Sequence, residues 1–248
     1  MFHEFTRHIR KAISGQKAKR NLSKLTPEQR ELISRICQEN LTYLSLNKLA
    51  SIASTCVSIN DANLPGIFLE AGCALGGSAI LAASLKSVNR PLYIFDVFGM
   101  IPPPTQEDSQ DVHERYRTIV EGKADGLGGN KYYGYEDNLC EIVLNNLRRF
   151  SIYPEEQSVF LIKGLVQETM KIDQPVAFAH IDVDWYDPVM TCLQRVFPNL
   201  SVGGSIILDD YHDWGGCRKA TDEYLRGVCG LFELDDSAGS MKLTKVKG

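Results

Sequence analysis

From Pro65 onward, short apolar runs alternate with amphipathic segments, and this alternation constrains the chain more than any other feature. Ile67-Phe68-Leu69, Leu92 to Val97, Val159 to Ile162, Val176 to Val183 and Ser205 to Leu208 have strand length and are nearly continuous in apolar residues. Runs of that kind are buried on both faces. Between them, Ser78 to Leu85, Pro188 to Phe197 and Cys217 to Val228 read as helices. Strand–helix–strand units cross over right-handedly and build a parallel sheet covered on both sides. The tail breaks the pattern. Leu231-Phe232-Glu233-Leu234 and Met241-Lys242-Leu243-Thr244 flank Asp235 to Gly239, which predicts a hairpin and an antiparallel edge. The expected fold class is α/β, a mostly parallel sheet finished by a C-terminal antiparallel hairpin.

Two helices are expected ahead of the sheet, over residues 26–60. Thr26-Pro27-Glu28-Gln29 is a helix start: a capping threonine, proline at the first helical position and a glutamine that completes a capping box. Leu32, Ile33, Ile36 and Cys37 follow at helical spacing, and a second helix is read from Ser45 to Ile59. Residues 1–25 hold seven Lys/Arg against the single acid Glu4. A membrane-surface or RNA-binding arm is one reading; a solvated, partly disordered leader is the expectation. The organisation read is thus a leader over 1–25 and one domain over 26–248.

The interval 99–149 interrupts the alternation with Pro102-Pro103-Pro104, the acids Glu107, Asp108 and Asp111, and the glycines 126, 128 and 129. Tyr132, Tyr133 and Tyr135 and a helix from Glu136 to Phe150 complete it. Insertions at the C-terminal end of a strand lie where α/β proteins bind ligands, so it reads as a lid or substrate loop. A surface excursion is the alternative.

Composition removes several function classes. With 27 Lys+Arg against 31 Asp+Glu, the net charge of −4 argues against nucleic-acid binding. No apolar run approaches the roughly 20 residues of a membrane-spanning helix, and the N-terminus lacks a signal-peptide core. The seven cysteines form no CxxC pair, which fits free thiols in a reducing, cytoplasmic setting rather than disulfides or zinc.

Three motifs carry chemistry. Glu70-Ala71-Gly72-Cys73-Ala74-Leu75-Gly76-Gly77-Ser78 joins a strand to a helix. Gly72 permits a tight turn, Gly76 and Gly77 expose backbone to a ligand, Ser78 is placed to cap the helix, and Glu70 suits a ligand amino group. The spacing is neither a dinucleotide fingerprint nor a P-loop. Asp96 ends the next strand, where a carboxylate can accept both hydroxyls of a ribose. His180-Ile181-Asp182-Val183-Asp184-Trp185-Tyr186-Asp187 and Asp209-Asp210-Tyr211-His212-Asp213 end two later strands. Adjacent parallel strands bring such ends together, and crowded carboxylates at Asp182, Asp209 and Asp210 call for a hard divalent cation, Mg²⁺ fitting best. Asp187, before Pro188, reads as a helix N-cap.

These segments resemble the macrocin O-methyltransferase family, the S-adenosylmethionine- and Mg²⁺-dependent sugar O-methyltransferases of macrolide and aminocoumarin biosynthesis. Pro65 to Gly72 with Gly76-Gly77-Ser78 is similar to its first motif, Asp96 to Pro102 to its acid-plus-turn segment, and Lys163-Gly164 with Glu168-Thr169 to its next turn. His180 to Tyr186 and Gly203-Gly204 through Asp209-Asp210-Tyr211 resemble its metal half. The resemblance covers roughly residues 40–230, leaving the basic leader outside. It implies a Rossmann-like class I methyltransferase with a seven-stranded sheet, and a hydroxyl-bearing small-molecule acceptor, a sugar or another polyhydroxylated compound. It also implies that Glu70, Gly72, Gly76, Gly77, Ser78, Asp96 and Gly164 bind the cofactor and that Asp182, Asp209 and Asp210 bind Mg²⁺. Asp182 or His212 would take the proton. A catechol or phenol acceptor, a non-catalytic binding module on the same fold, and a homodimer packed through the N-terminal helices are the readings kept beside it. Trp185 weighs against the phenol, because catechol-type relatives carry lysine there.

Overall fold

The computed structural model describes residues 21–248. Most of the expected leader, residues 1–20, lies outside the described residues, while Leu25 is only 3% exposed and belongs to the core. Seven strands form one sheet: β1 (Ile67–Ala71), β2 (Leu92–Asp96), β3 (Val159–Lys163), β4 (Val176–Ile181), β5 (Leu200–Leu208), β6 (Phe232–Asp235) and β7 (Met241–Lys245). Their order is β3-β2-β1-β4-β5-β7-β6. The first five are parallel, and β7 runs antiparallel to both β5 and β6. Both halves of the sequence reading, the parallel core and the reversed hairpin, are therefore present.

The helices are α1 (Pro27–Gln38), α2 (Leu46–Asp61), α3 (Gly77–Leu85), α4 (Gln110–Val120), α5 (Leu139–Arg149), α6 (Val166–Thr169), α7 (Tyr186–Val196) and α8 (Gly215–Gly227). One face of the sheet packs under α1, α2, α3 and α5, with Ile33, Ile36, Leu49, Ile52, Ile80, Val143 and Leu147 against Phe68 and Phe178. The other packs under α6, α7 and α8 through Val166, Val189, Leu193, Val196 and Ala220 against Leu69, Ile181 and Ile206. Every residue of β1 and β4 is buried, as a two-sided parallel core requires. The capping box of α1 is formed: Gln29 N donates to Thr26 Oγ1 at 3.3 Å and Thr26 N to Gln29 Oε1 at 3.0 Å.

Three local expectations need correction. The insertion contains a helix, α4, that its charged composition concealed, and its second helix starts at Leu139 rather than Glu136. Ser78 does not cap α3. Gly76 occupies the cap position, and Ser78 lies inside the first turn. Asp187 likewise sits inside α7, whose first amide is taken by the insertion: Tyr186 N donates to Asp108 Oδ1 at 2.7 Å. Among the described residues, no helix is long and apolar enough to cross a membrane.

Candidate active site

The strand order reverses between β1 and β4, and in open α/β sheets ligands bind at the carboxyl ends beside such a reversal. A cavity of about 380 Å³ opens there, within the size range of small-molecule sites. Gly72 follows β1, Asp96 ends β2, Gly164 follows β3, Asp182 follows β4, and Asp209 and Asp210 follow β5; all six line this cavity. The insertion roofs it with Ile101, Pro102, Arg115, Ile119, Tyr132 and Tyr133. Ties from the insertion to the second half of the chain include the Asp108–Tyr186 bond and the indole of Trp185, whose Nε1 donates to Pro102 O at 2.9 Å. They also include Gly215 N donating to Asp111 Oδ2 at 3.2 Å and Lys219 donating to Glu107 Oε2 at 2.6 Å. Tyr135, the third tyrosine of the run, instead braces the roof, its hydroxyl accepting from Ala124 N and donating to Ile119 O.

Backbone amides fix both oxygens of the Asp96 carboxylate. Its Oδ2 accepts from Cys73 N and its Oδ1 from Phe98 N, both at 2.7 Å, so each oxygen is oriented while retaining a lone pair. Burial pushes its carboxyl upward, and the two amides oppose that shift.

The glycine motif is divided. Gly72 reaches the cavity, whereas Glu70, Gly76, Gly77 and Ser78 are not among the lining residues. The Gly77 amide donates to Leu41 O at 3.0 Å, and a Cβ there would stand 2.5 Å from that oxygen. Gly77 therefore admits the α1–α2 connection, not a ligand. The Glu70 carboxylate turns to His180, its register partner on β4, with Oε1 2.8 Å from Nδ1. Burial opposes the His180 charge, but the Asp209 and Glu70 carboxylates outweigh it and raise the imidazole to about 10. That buried imidazolium also faces Asp209, its Nε2 standing 4.0 Å from Oδ1.

The acids form two overlapping groups: Asp182, Asp184 and Asp210, and Asp209, Asp210 and Asp213, each with oxygens within 4.8 Å of one another. They differ in compensation. Lys48, from α2, donates to Asp209 Oδ2 at 2.9 Å, Asp209 O at 3.1 Å and Asp213 Oδ2 at 2.8 Å. Burial works against ionisation of Asp209, yet His180 and Lys48 hold its carboxyl below the usual range. Asp182, Asp184 and Asp210 form no ion pair with a lysine or arginine among the described residues. Burial, the largest cause for each, pushes all three upward and the Asp209 charge adds to it, while His180 opposes the rise at Asp182 and Arg115 opposes it at Asp184. Asp209 Oδ1 and Asp210 Oδ2 are buried without a hydrogen-bond partner among the described residues. A pair of buried, unsatisfied carboxylate oxygens beside a third acid fits a hard, oxygen-preferring cation.

His212 stands apart from the sequence reading. The short turn Asp209–Tyr211 carries it out of the cavity lining, and its Nε2 lies 3.6 Å from Asp236 of the hairpin. Two residues that sequence reasoning passed over enter instead. Asp184 had a signal, its place two residues after Asp182 in the acidic run that follows β4. Lys48 had none, lying 161 residues from its partner.

The profile of the family described as "Macrocin-O-methyltransferase (TylF)" matches residues 3–231, and so extends into the basic segment that the sequence reading left out. The demethyldecarbamoylnovobiocin O-methyltransferase of Streptomyces niveus is 26% identical over 196 residues, 74% of this chain and 67% of that protein. The mycinamicin III 3''-O-methyltransferase of Micromonospora griseorubida is 25% identical over 189 residues, covering 74% and 69%. Among solved structures, the O-methyltransferase NovP superposes with a TM-score of 0.70 at 22% identity, covering 84% of this chain and 83% of that one. That likeness establishes the fold.

Proposed function

The chain belongs to the macrocin-O-methyltransferase family, and from that premise we propose that it methylates a hydroxyl of a sugar or glycosylated small molecule, using S-adenosylmethionine and Mg²⁺. One observation carries this reading: a single cavity joins the Gly72–Asp96–Gly164 side, suited to a nucleoside, to the acid cluster, which would hold a hard cation. The names of the relatives, which act on novobiocin and mycinamicin precursors, support a glycosidic acceptor. The seven free cysteines support a reducing, cytoplasmic setting.

S-adenosylmethionine, when bound, supplies a sulfonium methyl group and leaves as S-adenosylhomocysteine. Asp96 would accept its ribose hydroxyls, with Gly72 and Gly164 giving backbone clearance. Mg²⁺ would be held by Asp210, which belongs to both acid groups, with Asp182 from one group and Asp209 from the other, and it would lower the pKa of a hydroxyl bound to it. Asp184, beside Asp182 and Asp210 and itself lining the cavity, accepts the acceptor's hydroxyl proton. The roof of Pro102, Tyr132 and Tyr133 keeps water from the reacting oxygen. Lys48 and the Glu70–His180 pair keep Asp209 ionised and in place.

Calorimetric titration of S-adenosylhomocysteine tests the cofactor half. Micromolar binding by the wild type, abolished in a folded Asp96→Ala variant, is expected; a folded wild type that does not bind would sink the reading.

The metal half has a pH signature. Because Asp182, Asp184 and Asp210 are raised above the ordinary 3.8, the folded state holds extra protons above that pH. Their contribution to stability is therefore lost as pH rises, and Asp209 runs the other way. A divalent cation held by Asp182, Asp209 and Asp210 would displace the protons of Asp182 and Asp210. MgCl₂ is expected to raise Tm more at pH 8 than at pH 5, by at least the roughly 2–4 °C that 1 kcal/mol produces in a domain of this size. An equal rise at both values, measured against EDTA controls, would count against these ligands.

A further inference from the structure

Two cations, Lys48 and Arg115, are among the residues lining the cavity. Lys48 is committed to Asp209 and Asp213. Arg115 is not committed. It projects from α4 in the roof, one turn before Ile119, which lines the same cavity. Its guanidinium lies 5.7 Å from the centre of the Tyr132 ring, and it makes no ion pair or hydrogen bond with any described residue. Arg115 is half-buried, so part of its hydration is already given up without a protein acceptor in return. Asp184 is near enough for the Arg115 charge to act on it, yet the two stand outside the 4.0 Å of an ion pair. The space between roof and acid cluster is thus bounded by a carboxylate-rich floor and an open guanidinium fork. That fork matches the paired oxygens of a phosphate or carboxylate.

We infer that the methyl acceptor carries an anionic group, a phosphate or a carboxylate, which Arg115 binds while the acceptor's hydroxyls lie at the acid cluster. The inference rests on the methyl-transfer reading and narrows its substrate class. An acceptor of this kind is a sugar phosphate, a nucleotide-linked sugar or a sugar acid, and a neutral glycoside leaves Arg115 unused. The relevant comparison is between members of one sugar series that differ in charge.

The experiment titrates methyl glucoside, glucose 1-phosphate, methyl glucuronide and uridine-diphosphate glucose into the protein with S-adenosylhomocysteine and Mg²⁺ present. At least one anionic member is expected to bind about 10–100-fold more tightly than the neutral glucoside, the range of a charge-assisted pair. Which member wins separates phosphate, carboxylate and nucleotide. Arg115→Gln is expected to bring that ratio toward one, and Arg115→Lys to restore part of it. The ratio should also fall with added salt. A wild type that shows no preference for charge, or binds no anionic member, overturns the inference, as does an unchanged ratio in Arg115→Gln. The S-adenosylhomocysteine titration run beforehand separates the two levels. Cofactor binding without a charge preference removes only the acceptor class, whereas failure of cofactor binding removes the transfer reading and this inference with it.

Discussion

Asp184→Asn is expected to lower turnover by about 10²–10⁴-fold, the range typical of a lost general base, while S-adenosylhomocysteine binding and the Mg²⁺-induced rise in Tm persist. The substitution suits the test because of the backbone. Asp184 has φ of 56°, in the left-handed region, where most side chains are strained and aspartate and asparagine are tolerated. Asparagine therefore keeps the shape of the turn after β4 and removes only the proton acceptor. The loss should fall on kcat, since the acceptor hydroxyls and cofactor keep their partners. A turnover within tenfold of wild type would move the proton to another group. A variant that also lost its Mg²⁺ response would make Asp184 a metal ligand instead.

Gly72→Ala is the substitution expected to damage the fold most directly. Gly72 has φ of 81°, and a Cβ there would lie 1.9 Å from the carbonyl oxygen of Asp182. The same two segments are joined by Asp182 N donating to Ala71 O at 2.8 Å. A methyl group would thus push apart β1 and β4 where the cavity opens between them, displacing Asp182 with its backbone. Overpacking costs about 1–3 kcal/mol and the left-handed backbone about 1–2 kcal/mol more. At roughly 2–4 °C per kcal/mol, Tm should fall by about 5–20 °C, measured by circular dichroism. An unchanged Tm would show that β1 and β4 separate without cost. The Mg²⁺ response should weaken along with stability, because one displacement causes both losses.

The contrast between these residues shows how far the sequence could be read. Gly72 and Asp96 were legible because each ends a continuous apolar run, and topology alone brings strand ends together. The reversed hairpin was legible for the same reason, two short apolar runs around a polar turn. Helix α4 was not. Only Val112 and Ile119 of its 11 residues are buried, so few apolar residues mark its inner face. Glu70 was assigned to a ligand because its place in the motif carries no information about β4; the register Glu70↔His180 gives its carboxylate a buried imidazole instead. His212 was assigned to the site because it follows Asp210 closely, but the turn Asp209–Tyr211 faces it toward Asp236.

What the sequence determined by itself is the set of chemical possibilities: which strand ends carry acids, where glycine frees the backbone, and that carboxylates crowd at the carboxyl ends of neighbouring parallel strands. These follow from local periodicity and connection rules, which act over a few residues. Only the tertiary structure decided which of those carboxylates are compensated. Lys48 reaches Asp209 across 161 residues, and Arg115 enters the same cavity from the roof with no ion pair or hydrogen bond among the described residues. The reason is that charge compensation depends on distance through space. Distances between elements are fixed by packing, and packing leaves no trace in local spacing.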